Sequence, residues 1–148
     1  MPPNDNAASR SIVCPHCDAV NRIQLARPAQ DASCGKCKRA LFVGKPIELT
    51  AANFTVHVER NAIPVVIDLW ASWCAPCRMM APIVERAAAA FEPRVRIAKL
   101  DTEAEPEIAA RFGVRGIPAF VAMSGGKEVA RRVGAMDYGQ FTRWVEQV

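Results

Sequence analysis

Three C-x-x-C pairs constrain this chain of 148 residues more than any other feature. Cys14 with Cys17, Cys34 with Cys37, and Cys74 with Cys77 account for all 6 cysteines. An even cysteine count can build a disulfide framework, but such frameworks belong to short secreted chains. The N-terminal stretch MPPNDNAASRSIV has no basic start, apolar centre or small-residue cleavage site. Export is therefore not expected, and a cytoplasmic location is. In a reducing compartment, paired cysteines point to metal binding or to thiol redox chemistry.

The first two pairs are sixteen residues apart, within the spacing of a structural zinc ribbon. Each pair can sit on a tight turn that aims two sulfurs at one ion, and four thiolates close a tetrahedral site with no position left for water. Cys14, Cys17, Cys34 and Cys37 are thus the expected ligands of one structural Zn2+. Gly35 is expected to supply a positive φ in the second turn. His16 is an alternative ligand, read here as a loop residue.

Charge supports a metal over a nucleic acid. The formal net charge is +4, and residues 1–45 carry 7 basic side chains against 3 acidic ones. The remaining 103 residues balance, so the whole excess lies beside the four N-terminal cysteines. Zinc with four thiolates carries about −2, and Arg22, Arg27, Lys36, Lys38 and Arg39 are placed to offset it. Phe42 is the sole aromatic residue of that segment, which leaves no platform for stacking bases. Nucleic-acid binding is not expected. With 51% hydrophobic and 23% charged residues, disorder is excluded, and no apolar run approaches the roughly 18 residues of a membrane helix.

The chain divides by composition. Residues 1–11 are polar and are expected to be a flexible tail. Residues 12–45, the ribbon, hold short apolar stretches at 23–25 and 41–43, too few to make a core without a staple. A boundary is expected near Gly44 to Pro46, with a globular domain over 46–148. Zinc-binding free energy, about 10–16 kcal/mol in small zinc-finger peptides, appears as folding free energy. Chelation is therefore expected to disorder residues 12–45 and to leave the second domain folded.

Within 46–148 the pattern alternates. Residues 47–49 read as a strand, Thr50 as the cap of a helix running to about Arg60, and 65–70 as a strand buried on both faces. A long helix follows the third cysteine pair, with Pro82 expected to kink it. Strands at 95–100 and 119–123, a helix at 105–112, a Gly125-Gly126 hairpin into 128–133, and a helix bearing Tyr138, Phe141, Val145 and Val148 complete the series. The class is α/β, a mixed sheet flanked by helices.

The third pair differs from the others by its setting, just past a buried strand and at the start of a helix. The unsatisfied amides and positive dipole end of a helix stabilise a thiolate, which makes Cys74 the nucleophile. Cys77, one turn on and more enclosed, can resolve a mixed disulfide. Pro76 suits an early helical position and stiffens the ring that a disulfide would close. A second zinc half-site is the alternative, but no further cysteine remains and His57 alone cannot complete it. Asp68 interrupts the apolar run; it either reaches water at the strand end or needs pairing or protonation.

The stretch VVIDLWASWCAPC, followed by Pro82, FGVRGIPAF and VGA at matching intervals, resembles the thioredoxin family over roughly residues 46–148. With the preceding cysteine pairs it is similar to the subtype that carries an N-terminal zinc ribbon. The resemblance implies a thioredoxin fold behind the zinc-ribbon module. It also implies a disulfide reductase that needs no bound redox cofactor, acts on disulfide-containing proteins, and is recycled by an NADPH-dependent thioredoxin reductase.

Residue by residue, the resemblance makes Asp68 the buried acid behind the active site, aiding deprotonation of Cys77, and Lys99 its partner. It makes Gly116-Ile117-Pro118 a loop with a cis proline facing the disulfide. Trp73, Ala75, Pro76, Ile117, Pro118, Val133 and Gly134 become an apolar surface for an extended substrate peptide. Ordinary core packing is the alternative for Trp73 and Ile117. Ala75 departs from the family's usual Gly. Three rival functions compete with this one: an oxidant or isomerase on the same fold, a sensor or holdase whose ribbon cysteines release zinc on oxidation, and a nucleic-acid-binding ribbon tethered to a redox domain.

Overall fold

The computed structural model describes residues 9–24 and 26–148. It opens with a hairpin of β1 (Ser9–Val13) and β2 (Val20–Gln24), antiparallel with Val13 opposite Val20. Residues 9–11, assigned above to the tail, are therefore part of a paired strand; residues 1–8 and Leu25 lie outside the described residues. A second small loop is closed by a Ser33–Ala40 bridge and by the Leu41 N–H donating to Ala32 O. The ribbon's core contains Ile12, Cys14, Cys34 and Leu41, and it borrows Ile63 from beyond the boundary. The shortage of apolar residues in this segment is thus met partly by its neighbour.

The second unit contains β3 (Ile47–Glu48), α1 (Phe54–Arg60), β4 (Val65–Trp70), α2 (Ala75–Phe91) and β5 (Arg96–Asp101). It continues with α3 (Pro106–Phe112), β6 (Ala119–Ser124), β7 (Lys127–Val133) and α4 (Tyr138–Glu146). The sheet order is β3-β5-β4-β6-β7, with β3 and β4 parallel to β5, and β6 antiparallel to both β4 and β7. This is the mixed sheet that the alternating pattern predicts. Central β4 is buried from Val65 through Leu69, which explains its nearly unbroken apolar run.

Side chains on a strand alternate between faces. Val65, Ile67 and Leu69 join the core beneath α1 and α3, with Phe54, Ile108 and Phe112. Val66 joins the opposite core with Met80, Val84, Phe120, Phe141 and Trp144 from α2, β6 and α4. Asp68, two residues after Val66, shares that second face, the one covered by α2.

One local expectation shifts. The first helix starts at Phe54 rather than just after Thr50. The Asn53 carboxamide oxygen accepts the Thr50 N–H at 2.7 Å and Thr50 O accepts the Phe54 N–H, so a turn occupies the intervening residues. The long helix runs on through Pro82, whose missing N–H simply leaves the Arg78 carbonyl without its helical donor.

Candidate redox and metal sites

β4 ends at Trp70, and a short turn delivers Cys74 to the N-cap position of α2. The Cys77 N–H donates to Cys74 Sγ at 3.3 Å, so the sulfur takes up one of the amides a helix start leaves unpaired. Pro76 lies in the first turn, where the N–H it lacks would have had no helical partner. Cys74 and Cys77 are joined in a disulfide with Cα atoms 5.2 Å apart. Both residues are nearly buried, 4% and 3% exposed. Cys77 is the more enclosed of the two by a narrow margin, and the Ile117 carbonyl oxygen lies 3.7 Å from Cys74 Sγ.

The Ile117–Pro118 peptide is cis, as the resemblance implies. Trp73 is 66% exposed, which excludes core packing for it, and its indole N–H donates to Glu103 Oε1 at 2.9 Å. Ala75, Pro76 and Val133 are also exposed, Ile117 and Gly134 are half-buried, and Pro118 is buried. Gly134 follows β7 at φ +100, a conformation that glycine adopts without strain, and its N–H donates to Pro118 O at 2.8 Å. Trp73 and Ile117 line a groove of about 390 Å3 with Thr102, Ala109, Ala110 and Val114. Reading the sequence missed this α3 wall, because residues 109–114 carry no chemistry that marks them.

Asp68 is 1% exposed and neither carboxylate oxygen has a hydrogen-bond partner. The strand-end alternative is therefore excluded. Burial pushes its carboxyl up to about 7, against a smaller downward pull from the Lys99 ammonium. Lys99 is its register partner on β5 and lies over the Trp70 ring at 4.6 Å. Cys77 packs with Cys74, Ala71, Trp70 and Ile117, on the α2 side of the sheet that Asp68 also faces.

In the ribbon, the sulfurs of Cys14, Cys17, Cys34 and Cys37 all lie within 4.8 Å of one another. Cys14 approaches Cys37, and Cys17 approaches Cys34, at 3.6 Å. That is far beyond disulfide length, yet close to the roughly 3.8 Å edge of a tetrahedron with Zn–S near 2.3 Å. The donor set fits zinc. Backbone N–H groups of His16, Lys36 and Cys37 point at the sulfurs. Asn21 adds a side-chain N–H to Cys34 Sγ at 3.4 Å and accepts the Gly35 N–H. The Cys37 amide and Asn21 lower Cys34 to about 5, whereas burial pushes Cys14 up to about 12.

The positive φ expected at Gly35 occurs instead at Asp18 and Lys38, the residue after each pair. Chain reversal is thus placed after the second sulfur rather than between the two. His16 is a loop residue whose ring nitrogen lies 3.2 Å from Ala40 O, outside the sulfur cluster. His57 is buried, and its Nε2 meets Asp18 Oδ1 at 2.8 Å.

The family model for thioredoxin matches residues 45–147, and that for the thioredoxin 2 N-terminal zinc ribbon matches residues 13–39. The chain is 44% identical to thioredoxin C-3 of Corynebacterium nephridii, covering 92% of this chain and 93% of that protein. It is 34% identical to thioredoxin 1 of a Nostoc species, over 68% of this chain and 94% of the relative. A bifunctional thioredoxin reductase/thioredoxin of Mycobacterium leprae shares 42% identity, over 62% of this chain and 20% of its own length.

Proposed function

We propose, for a chain that belongs to the thioredoxin family and carries the thioredoxin 2 ribbon, a cycle in which Cys74 reduces protein disulfides and Cys77 releases the product. The observation that carries this reading is the Cys74–Cys77 disulfide at the start of α2, beside an apolar groove and the cis-proline loop. In the reduced protein the Cys74 thiolate attacks one sulfur of a substrate disulfide and displaces the other as a thiolate, which takes up a proton. Cys77, deprotonated, then attacks Cys74 Sγ of the mixed disulfide. The second substrate thiolate leaves, and two electrons have passed from the protein to the substrate.

Asp68, held partly protonated near neutral pH by burial against a smaller opposing pull from Lys99, is the general base assigned to Cys77. Trp73, Ala75, Pro76, Ile117, Pro118, Val133 and Gly134 receive the substrate peptide. Hydrogen bonding to the backbone of the Gly116–Pro118 loop is the expected mode of binding. The disulfide left behind is reduced by a thioredoxin reductase drawing on NADPH, a partner suggested by the relative in which the two activities are fused. A cytoplasmic location fits such a partner. Among the described residues no helix is long and apolar enough to cross a membrane.

Cys14, Cys17, Cys34 and Cys37 hold one zinc ion, which supplies a structural cross-link rather than a reaction step. Its thiolates are the route by which oxidation would reach the ribbon, since loss of two as a disulfide removes half of the ligands. The experiment that tests the reading is NADPH consumption with thioredoxin reductase and insulin. Fast turnover in the wild type and none in Cys74→Ser is expected. No turnover in a reduced, zinc-loaded wild type would overturn it in favour of an oxidant or sensor.

A further inference from the structure

We propose that Arg96, on β5 of the thioredoxin domain, is a positioning residue for the ribbon's metal site, and that zinc binding therefore stabilises the thioredoxin domain as well as the ribbon. This rests on the zinc reading above. Arg96 is fully buried. Its Nη2 donates to Val13 O at 3.2 Å and its Nη1 to Leu41 O at 3.1 Å. Val13 immediately precedes Cys14, and Leu41 closes the loop that carries Cys34 and Cys37. One planar guanidinium thus ties together the two loops that must meet around the ion.

The surrounding contacts point the same way. Glu92 bridges the units, accepting from Arg96 Nη1 through Oε1 at 2.8 Å and from the Gly44 N–H through Oε2 at 3.0 Å. Phe42 of the ribbon lies 5.1 Å from the same guanidinium. Asn61 accepts the Val13 N–H at 2.8 Å while donating to His57 O, and the Ala62 N–H donates to Ser11 O. The first cysteine loop is therefore gripped before Cys14 by Arg96 and Asn61, and after Cys17 by His57 on Asp18. Arg96 Nε already has no partner among the described residues, so losing the two ribbon carbonyls would leave a buried cation badly undersolvated.

The carbonyls of Val13 and Leu41 reach one guanidinium only while the two loops are side by side, the arrangement four-sulfur ligation enforces. Coupling of this kind is reciprocal: whatever Arg96 adds to metal retention, the metal returns to the domain that supplies Arg96. The structure thus argues against the expectation that the two units fold independently.

The test follows zinc leaving the zinc-loaded full chain into a chromophoric chelator, alongside thermal melting and insulin reduction. Arg96→Lys keeps the charge and loses the fork. It should release zinc about tenfold faster, as expected for losing one charge-assisted hydrogen bond, while the reduction rate stays within about twofold. The drop in melting temperature that chelation causes in the wild type should shrink in this variant. Ile108→Ala, in a core cluster without ribbon residues, should lower the melting temperature and leave zinc release unchanged. If Arg96→Lys does not fold, Asn61→Ala, which removes the acceptor for Val13 N–H, should also speed release. Unchanged release in the foldable variants, with one zinc bound per wild-type chain, would overturn this proposal alone. A wild type without bound zinc would remove the zinc reading and this inference with it.

Discussion

The Cys34–Cys37 loop and the Cys74–Cys77 loop share one spacing and differ in everything that decides their chemistry. After Cys37 the backbone turns left-handed at Lys38, and the loop's amides converge on Cys34 Sγ while a second pair of sulfurs faces it. After Cys77 the backbone continues as α2 to Phe91, and the four remaining cysteines are gathered in the ribbon. The first arrangement gathers four sulfurs at the spacing an ion would need, and in the second each of two sulfurs has only the other within bonding reach. The lesson is that two intervening residues set how far apart the sulfurs can be, whereas the next residue's φ sets what they meet.

The contrast breaks most sharply by substitution. Cys74→Ser should abolish insulin reduction, whereas Cys34→Ser should lose the zinc and retain turnover at temperatures where the chain stays folded. Equal loss in both, measured with reductase and NADPH, would mean that the two loops work together.

Next in size is Asp68→Asn. A general base of this kind contributes roughly 10²-fold or more to rate, so release of product from the mixed disulfide should slow by about that factor, read in stopped-flow experiments. The same variant should be more stable than the wild type. The folded carboxyl titrates near 7 and the unfolded one near 3.9, so the native state holds its proton more tightly. Its favourable contribution is complete below the unfolded value and is lost as pH rises to about 7. The stability advantage of the Asp68→Asn variant should therefore grow between about pH 4 and 7 and then level off, approaching about 4 kcal/mol. A stability difference independent of pH would show that Asp68 is not buried in its charged form.

Trp73→Ala should raise KM for a protein disulfide severalfold and leave kcat nearly unchanged, since the exposed ring belongs to the groove and not to the reacting atoms. A loss confined to kcat would assign it a different part. The smallest effect is expected from chelation on the initial rate at 25 °C, less than about twofold. Arg96 pairs with Val65 at the start of β4, and the active site follows Trp70 at its end. Those positions are roughly 17 Å apart along the strand, so the ribbon sits at the pole of the sheet remote from Cys74.

Much of this was legible in the chain. The run at 65–70 read as a strand buried on both faces, and a long helix was expected after the third cysteine pair. The four clustered cysteines of the ribbon were legible because two C-x-x-C pairs sixteen residues apart have the spacing of a zinc ribbon. Groups that act through position alone were not. Asn21 and Glu103 are ordinary polar residues until the fold brings them to Cys34 Sγ and Trp73 Nε1. Arg96 carries no mark in the sequence, although it is among the most deeply buried side chains. Gly35 looked like the turn-former because glycine tolerates positive φ, yet Asp18 and Lys38 adopt it.

The division follows range. Periodicity, cysteine spacing and helix-start chemistry act over a few residues, so the sequence by itself determined the α/β class, the two kinds of cysteine site and the order of the elements over 46–148. Burial and partner choice depend on residues tens of positions apart. Only the tertiary structure decided that Asp68 would be sealed from water beneath α2, that Val114 and its neighbours would wall the groove, and that a guanidinium 83 residues from Val13 would grip the ribbon. A side chain's cost or benefit is set by the surface that closes over it, and that surface exists only once distant segments have packed.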